Sequence, residues 1–138
     1  MTPAAEREIF HMIERISPPA RVLVVDDEGL IRWSLNERLS SAGYEVLEAG
    51  DGASALSFFR EGAPRIDLVL LDLKLPDADG LDLLKQIKRL RPSCRVILMT
   101  AFGTPDRLLD ARNNGACDVM AKPFNLDKML QTVERALA

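Results

Sequence analysis

The sequence has little of what marks a metal site built from cysteine and histidine, a secreted protein or a nucleic-acid-binding protein. Only two cysteines and one histidine occur in its 138 residues, and Cys94 and Cys117 are too far apart for a Cys-x-x-Cys motif. We therefore expect both cysteines to be small buried hydrophobic residues in a reducing cytoplasm. The formal net charge of −3 provides no broad basic face, which argues against direct contact with nucleic acid.

Long apolar runs are also missing. No segment is apolar over the length needed to cross a bilayer, and the N-terminus lacks the apolar core of a signal peptide. The chain contains 47% hydrophobic and 28% charged residues, which is the composition of a soluble globular domain. A chain of 138 residues can form one such domain with a hydrophobic core.

The first 20 residues differ from the rest of the chain. Their apolar side chains recur at helical spacing: Ile9, Met12, Ile13 and Ile16. This predicts an amphipathic helix. Ser17 and the two prolines after it should end the helix and form a short stiff linker. We therefore divide the chain into residues 1–20, the helix and linker, and residues 21–138, the main domain. The apolar stripe should pack against the main domain, a second copy in a homodimer, or a neighbouring domain. His11, the only histidine, should be a partly exposed helix residue.

From residue 21 onward, strand-like and helix-like segments alternate. The strand-like segments are residues 22–25, 44–49, 66–71, 96–99 and 116–121, and each is followed over a short connection by a helix-like segment. The strand-like segments do not alternate polar and apolar residues, which indicates that both faces of the sheet are covered. The pattern predicts an α/β fold: a doubly wound, flavodoxin-like five-stranded parallel sheet of order 2-1-3-4-5, with an extra N-terminal helix.

Polar side chains stand at the carboxyl ends of four of these strands. Asp26 and Asp27 follow the first strand, Asp72 the third, Thr100 the fourth and Lys122 the fifth. Because the carboxyl ends of parallel strands share one edge of the sheet, we expect these side chains to converge. Carboxylates this close repel one another unless a cation lies among them, and all-oxygen ligands suit Mg²⁺. Together with the lysine and the threonine, such a set suits phosphoryl transfer.

Four short segments in this order resemble the motifs of response-regulator receiver domains of two-component systems. They are VVDDE at residues 24–28, LLDLKLPDADG at 70–80, LMTAFG at 98–103 and AKPF at 121–124. The resemblance covers residues 21–138. Within the family, the segments IRWSL, DLKLPDADGLDLL and MTAFG are most similar to the receivers of NtrC-type transcriptional activators.

This resemblance implies a phosphoacceptor in cytoplasmic signal transduction and transcription regulation. Asp72 would accept a phosphoryl group from a phosphohistidine of a sensor histidine kinase, and Thr100 and Lys122 would hold the phosphoryl oxygens. The implied Mg²⁺ ligands are Asp26, Asp27, Asp72 and the backbone carbonyl of Lys74. The domain would catalyse only its own phosphorylation and dephosphorylation, and would switch the state of an output domain or a downstream protein.

The residues themselves leave other classes open. An aspartyl-phosphate phosphatase on a related fold would place a second acid two residues after the nucleophile, where Lys74 stands. A flavin-binding protein would have a Ser/Thr-rich phosphate loop after the first strand, and none follows. A pseudo-receiver that binds partners without phosphorylation would lack an acid of the site, the threonine or the lysine. Here the acids, Thr100 and Lys122 are all present.

One position departs from the family pattern. Receivers usually carry an aromatic residue three positions before the lysine, and here that position is Val119. Valine has a single χ angle and no ring to swing between buried and exposed positions. We therefore expect Thr100 and residues 101–103 to carry the conformational switch, with Phe102 repacking and Gly103 as a hinge.

Overall fold

The structure, a computed structural model, describes residues 1–16, 18–101 and 103–138, and for residues 10 and 13–16 it describes the backbone alone. The predictions for Ser17, for Phe102 and for the side chains of Ile13 and Ile16 lie outside the described residues. Among the described residues, no helix combines the length and apolar character that crossing a bilayer requires.

A helix precedes a series of strands and helices that alternate along the chain. In order, the elements are α1 (Pro3–Ile16), β1 (Arg21–Val25), α2 (Gly29–Ser41), β2 (Glu45–Ala49), α3 (Gly52–Ser57), β3 (Leu68–Asp72), α4 (Gly80–Leu90), β4 (Arg95–Thr100), α5 (Pro105–Asn113), β5 (Asp118–Ala121) and α6 (Leu126–Leu137). All neighbouring strands are parallel, and their order is β2-β1-β3-β4-β5. The predicted fold class, strand order and extra N-terminal helix are confirmed.

The ends of the predicted strands differ from the observed ends by at most two residues. Ile66 and Ala116, for example, are buried but precede the paired residues of β3 and β5. The apolar pattern reports which side chains are buried, whereas strand ends are defined by backbone pairing, so the two need not coincide.

The sheet has a hydrophobic core on each face. In β3, Val69 and Leu71 contribute to one core and Leu68 and Leu70 to the other, because successive side chains point to opposite faces. Helices α3, α4 and α5 cover the first face, and α2 and α6 cover the second. This arrangement confirms that the strands are apolar on both sides because both sides are buried.

The prediction that both cysteines are buried is right for Cys94 and wrong for Cys117, which is exposed. Cys117 directly precedes β5, which lies at the edge of the sheet with a neighbour on one side only. The predicted strand order already placed this strand at the edge, so the expectation that Cys117 is buried rested on residue type alone.

Helix α1 begins at a capped turn, in which the Ala5 amide donates to Thr2 Oγ1 over 3.1 Å. Ile9 and Met12 belong to its predicted apolar stripe and are 41% and 55% exposed. Such a short helix is marginal in water without packing. These two side chains are therefore available for contacts beyond the single chain.

Candidate functional site

The carboxyl ends of the strands form an acidic cleft at one edge of the sheet. Oxygens of Asp26, Asp27 and Asp72 all lie within 4.8 Å of one another. A cavity of about 430 Å³ opens beside them; among the residues that line it are Asp27, Asp72, Lys74, Thr100 and Lys122. The structure thus brings together every residue that the sequence predicted for this site.

Asp26 forms the buried floor of the cleft. Its side chain is 0% exposed, and Oδ2 accepts a hydrogen bond of 2.7 Å from Lys122 Nζ. The other oxygen, Oδ1, accepts the Glu28 amide over 2.9 Å. A buried carboxylate is tolerated when it is paired and hydrogen-bonded in this way, because its lost hydration is replaced.

Lys122 joins three strands at this edge. Its ammonium group also donates to Asp72 Oδ2 over 3.2 Å, and its backbone amide donates to the Thr100 carbonyl over 2.7 Å. Burial alone would lower the pKa of Lys122, but the hydrogen bond to Asp26 and the charges of both acids hold that pKa above its ordinary value. The lysine is therefore a fixed positive charge in the cleft.

Asp72 is the last residue of β3 and is 6% exposed. Its Oδ1 accepts the Lys74 amide over 3.2 Å. Burial raises the pKa of Asp72, and the Asp26 carboxylate adds to this effect, while the Lys74 amide and the Lys122 ammonium oppose it. The pKa of this carboxyl consequently lies above its ordinary value, as expected for an acid that shares a cleft with others.

The start of α4 lies directly against the end of β3. The Gly80 amide donates to the Leu73 carbonyl over 2.8 Å. A Cβ atom at residue 80 would lie 2.6 Å from Leu73 Cα and 2.7 Å from the Asp72 carbonyl oxygen. Only glycine allows the two backbones to come this close, so Gly80 fixes the helix against the strand end that carries Asp72.

The loop between β3 and α4 is bonded to helices on both sides. The Asp77 carboxylate accepts the amides of Gly52 and Ala53, at the start of α3, over 2.7 and 3.1 Å. The Asp79 carboxylate accepts the Leu81 amide over 2.8 Å and two hydrogen bonds of 3.2 and 3.1 Å from Arg107 Nη2 of α5. The sequence analysis predicted neither of these two contacts.

The donor set fits a hard divalent cation. Three carboxylates and one ammonium group give the cleft a formal charge of −2, and one Mg²⁺ would neutralise it. Mg²⁺ uses few carboxylates and keeps several waters, which suits a cleft in which Asp27 is exposed and Asp26 is enclosed by protein. The described residues therefore meet the requirements of charge and ligand type for Mg²⁺.

Comparison with known proteins identifies the family. Residues 22–134 match the response regulator receiver domain. The chain belongs to the response regulator receiver family. Sporulation initiation phosphotransferase F of Bacillus subtilis is 39% identical over 117 residues, which cover 85% of this chain and 93% of that protein. The DNA-binding transcriptional regulator NtrC of Escherichia coli is 41% identical over 117 residues, which cover 85% of this chain and 24% of NtrC.

Solved structures agree with this assignment. A CheY-like receiver domain protein from Methanospirillum hungatei has a TM-score of 0.82 and 32% identity, covering 86% of this chain and 94% of that one. The receiver's family function is phosphorylation on an aspartate. Receiver domains bind Mg²⁺ at an acidic pocket and interact with histidine kinases and output domains.

Proposed function

We propose that Asp72 is the phosphoacceptor of this receiver domain. The observation that carries the proposal is that Asp72 both lines the cavity and bonds to Lys122. Asp26 is enclosed, with both oxygens occupied by Lys122 and the Glu28 amide. Asp27 is exposed at the rim. Asp72 is therefore the acid best positioned to meet a phosphoryl group and a cation at the same time.

In the proposed reaction, a carboxylate oxygen of Asp72 attacks the phosphorus atom of a phosphohistidine. The P–N bond breaks, its electron pair remains on the imidazole nitrogen, and that nitrogen takes a proton from water. Lys122 bonds an oxygen of the incoming group through Nζ, and the Thr100 hydroxyl at the end of β4 bonds another. Holding these charges in place is how proteins accelerate phosphoryl transfer.

Asp27, Asp72 and the Lys74 carbonyl would hold Mg²⁺, with Asp26 beside them. When bound, the ion would neutralise charge that develops on the phosphoryl oxygens. The domain acts on its own aspartate and not on an external substrate, since no second acid stands two residues after Asp72, where Lys74 lies.

The partner proposed for this reaction is a sensor histidine kinase in the cytoplasm. An apolar cavity of about 520 Å³ lies between α2 and α6; Ile31, Phe124 and Leu126 are among its lining residues. It shares Glu28, Ala101 and Lys122 with the acidic cleft. A kinase surface seated in this groove would bring its phosphohistidine to the adjacent Asp72, and the exposed Leu30, which also lines the cavity, would add apolar contact area.

We also propose that residues 21–138 form the receiver and that residues 1–20 form an accessory helix and linker. The exposed apolar residues of α1 suit contact with a second copy, and phosphorylation would then act on an output domain or a downstream protein. The 138-residue chain itself does not contact nucleic acid, because its formal net charge of −3 offers no broad basic face.

The experiment is phosphorylation by acetyl phosphate with Mg²⁺, followed by intact-mass measurement. We expect one added phosphoryl group on the wild-type protein and none on Asp72→Asn. The control is Asp82→Asn, because Asp82 is an exposed aspartate in the first turn of α4, outside the cleft. This control should be labelled as the wild type is. Full labelling of Asp72→Asn, or no labelling of the wild type, would refute the assignment.

A further inference from the structure

Arg32 of α2 contacts the backbone of the acidic cleft and not its carboxylates. Its Nη1 donates a hydrogen bond of 2.6 Å to the backbone carbonyl of Asp26. Its Nε lies 3.3 Å from Glu48 Oε1 of β2, and its side chain is 24% exposed. Glu48 is itself held by the Asn36 amide group over 2.8 Å. The guanidinium group is therefore fixed between two elements and directed at one particular peptide.

That peptide connects the two acids of the motif. The carbonyl of Asp26 and the amide of Asp27 belong to one rigid plane, since rotation about the peptide bond is blocked. β1 ends at Val25, so the paired residues of the strand stop just before this peptide. The Asp26 amide donates to the Ala49 carbonyl over 3.1 Å, and Arg32 holds the carbonyl at the other end of the same residue.

Space for this contact is left by a glycine. A Cβ atom at residue 50 would lie 3.3 Å from Arg32 Nη1, which is closer than ordinary van der Waals contact. Gly50, directly after β2, thus allows the guanidinium group to lie against the backbone. The arginine's planar fork can bond the carbonyl and the Glu48 carboxylate together, which a lysine ammonium group does less well.

We propose that Arg32 is a positioning residue for the cation site: by fixing the peptide between Asp26 and Asp27 it sets the direction of both carboxylates. The inference rests on the proposed function, in which these acids hold Mg²⁺. Arg32 acts through the backbone and makes no contact with the ion or the phosphoryl group. Groups that orient metal ligands in this way commonly change metal affinity by about 10- to 100-fold when removed.

The test is Mg²⁺ titration by calorimetry on the whole chain without a phosphoryl donor. We expect Arg32→Ala to weaken Mg²⁺ binding by about tenfold or more. Arg32→Lys, which can bond the carbonyl but lacks the fork, should recover part of the affinity. Arg32→Gln, a polar residue too short to place a donor where Nη1 lies, replaces the alanine variant if that variant does not fold. The matched control is Arg38→Ala, because Arg38 lies on the same helix and pairs with the exposed Asp127.

Stability is measured in parallel by urea unfolding, to separate positioning from a structural role. If the Arg32 variant that folds binds Mg²⁺ within about twofold of the wild type, the inference is overturned whether or not the unfolding midpoint falls. It is also overturned if Arg38→Ala weakens Mg²⁺ binding as much as Arg32→Ala does. A wild-type protein that binds Mg²⁺ but is not labelled on Asp72 would refute the proposed function and leave the Arg32 comparison valid.

Discussion

Replacing Gly80 with alanine should destabilise the protein, although most glycine-to-alanine changes at a helix start do not. The added Cβ would lie 2.6 Å from Leu73 Cα and 2.7 Å from the carbonyl oxygens of Asp72 and Leu73. All three are backbone atoms, so no side chain can rotate away to make room. The start of α4 must instead move from the end of β3, and the 2.8 Å hydrogen bond from the Gly80 amide to the Leu73 carbonyl must lengthen or break.

The opposing contributions can be compared. Overpacking of this kind costs about 1–3 kcal/mol, and a lost hydrogen bond adds about 1 kcal/mol. Reduced freedom of the unfolded chain returns about 0.4–1 kcal/mol. The unfavourable contributions are larger, so we expect a loss of about 1–3 kcal/mol in the free energy of unfolding.

The assay is urea unfolding followed by far-UV circular dichroism, with linear extrapolation to water. Gly29→Ala is the control, because a Cβ there would meet nothing closer than Arg32 Nη2 at 3.7 Å. The control should be as stable as the wild type or slightly more stable. If Gly80→Ala lies within about 0.5 kcal/mol of the wild type, the contact between α4 and the strand end is not as tight as described.

Four further results are expected. Asp27→Ala should remove most of the rise in melting temperature that Mg²⁺ produces, and an unchanged rise would contradict its role as a ligand. Burial raises the pKa of Cys94 to about 12, so at pH 8 roughly one thiol in ten thousand is ionised; iodoacetamide should spare Cys94 until the protein unfolds, and rapid alkylation of the native protein would refute this. Deletion of residues 1–17 should lower the mass measured by light scattering if α1 holds a dimer, and an unchanged mass excludes that role. Arg107→Ala should lower the free energy of unfolding by less than about 1 kcal/mol, because its ion pair is exposed. It should nevertheless change the shifts that phosphorylation produces in the NMR signals of α5. Phosphorylation-induced shifts equal to those of the wild type would show that the pair plays no part in the switch.

The sheet and the acidic cleft could be predicted because both follow from local signals. Each strand is marked by its own apolar run, and a polar residue directly after it must lie at the carboxyl edge of a parallel sheet. The convergence of Asp27, Asp72 and Lys122 therefore required only the strand order, not any knowledge of side-chain contacts. Their positions in the cleft agree with that prediction, while their roles in the reaction remain proposals.

The contacts that support the cleft could not be predicted in the same way. Arg107 and Asp79 are 28 residues apart, and neither stands at a strand end or in an apolar run. Arg32 is spaced like any exposed helix residue, and nothing local indicates that its guanidinium group turns toward the Asp26 carbonyl.

We expect the valine at position 119 to change which residues carry a signal from Asp72, the proposed phosphoacceptor. Val119 is partly buried and packs against the core beneath α3, α4 and α5, and its branched side chain has no alternative position to fill. A Cβ at Gly103 would lie 2.9 Å from Leu108 Cδ2 and 3.5 Å from Thr100 Cγ2.

Among the described residues, two series of contacts run from the cleft to α5 without an aromatic side chain. The first runs from Thr100 across Gly103 to Leu108, because the missing side chain at Gly103 allows the leucine to pack there. The second runs along the loop after Asp72 to the ion pair between Asp79 and Arg107. Both routes end in the first turns of α5, at residues 107 and 108. A movement of Thr100 or of this loop would thus shift the same end of one helix, and α5 is the element through which we expect phosphorylation to be read.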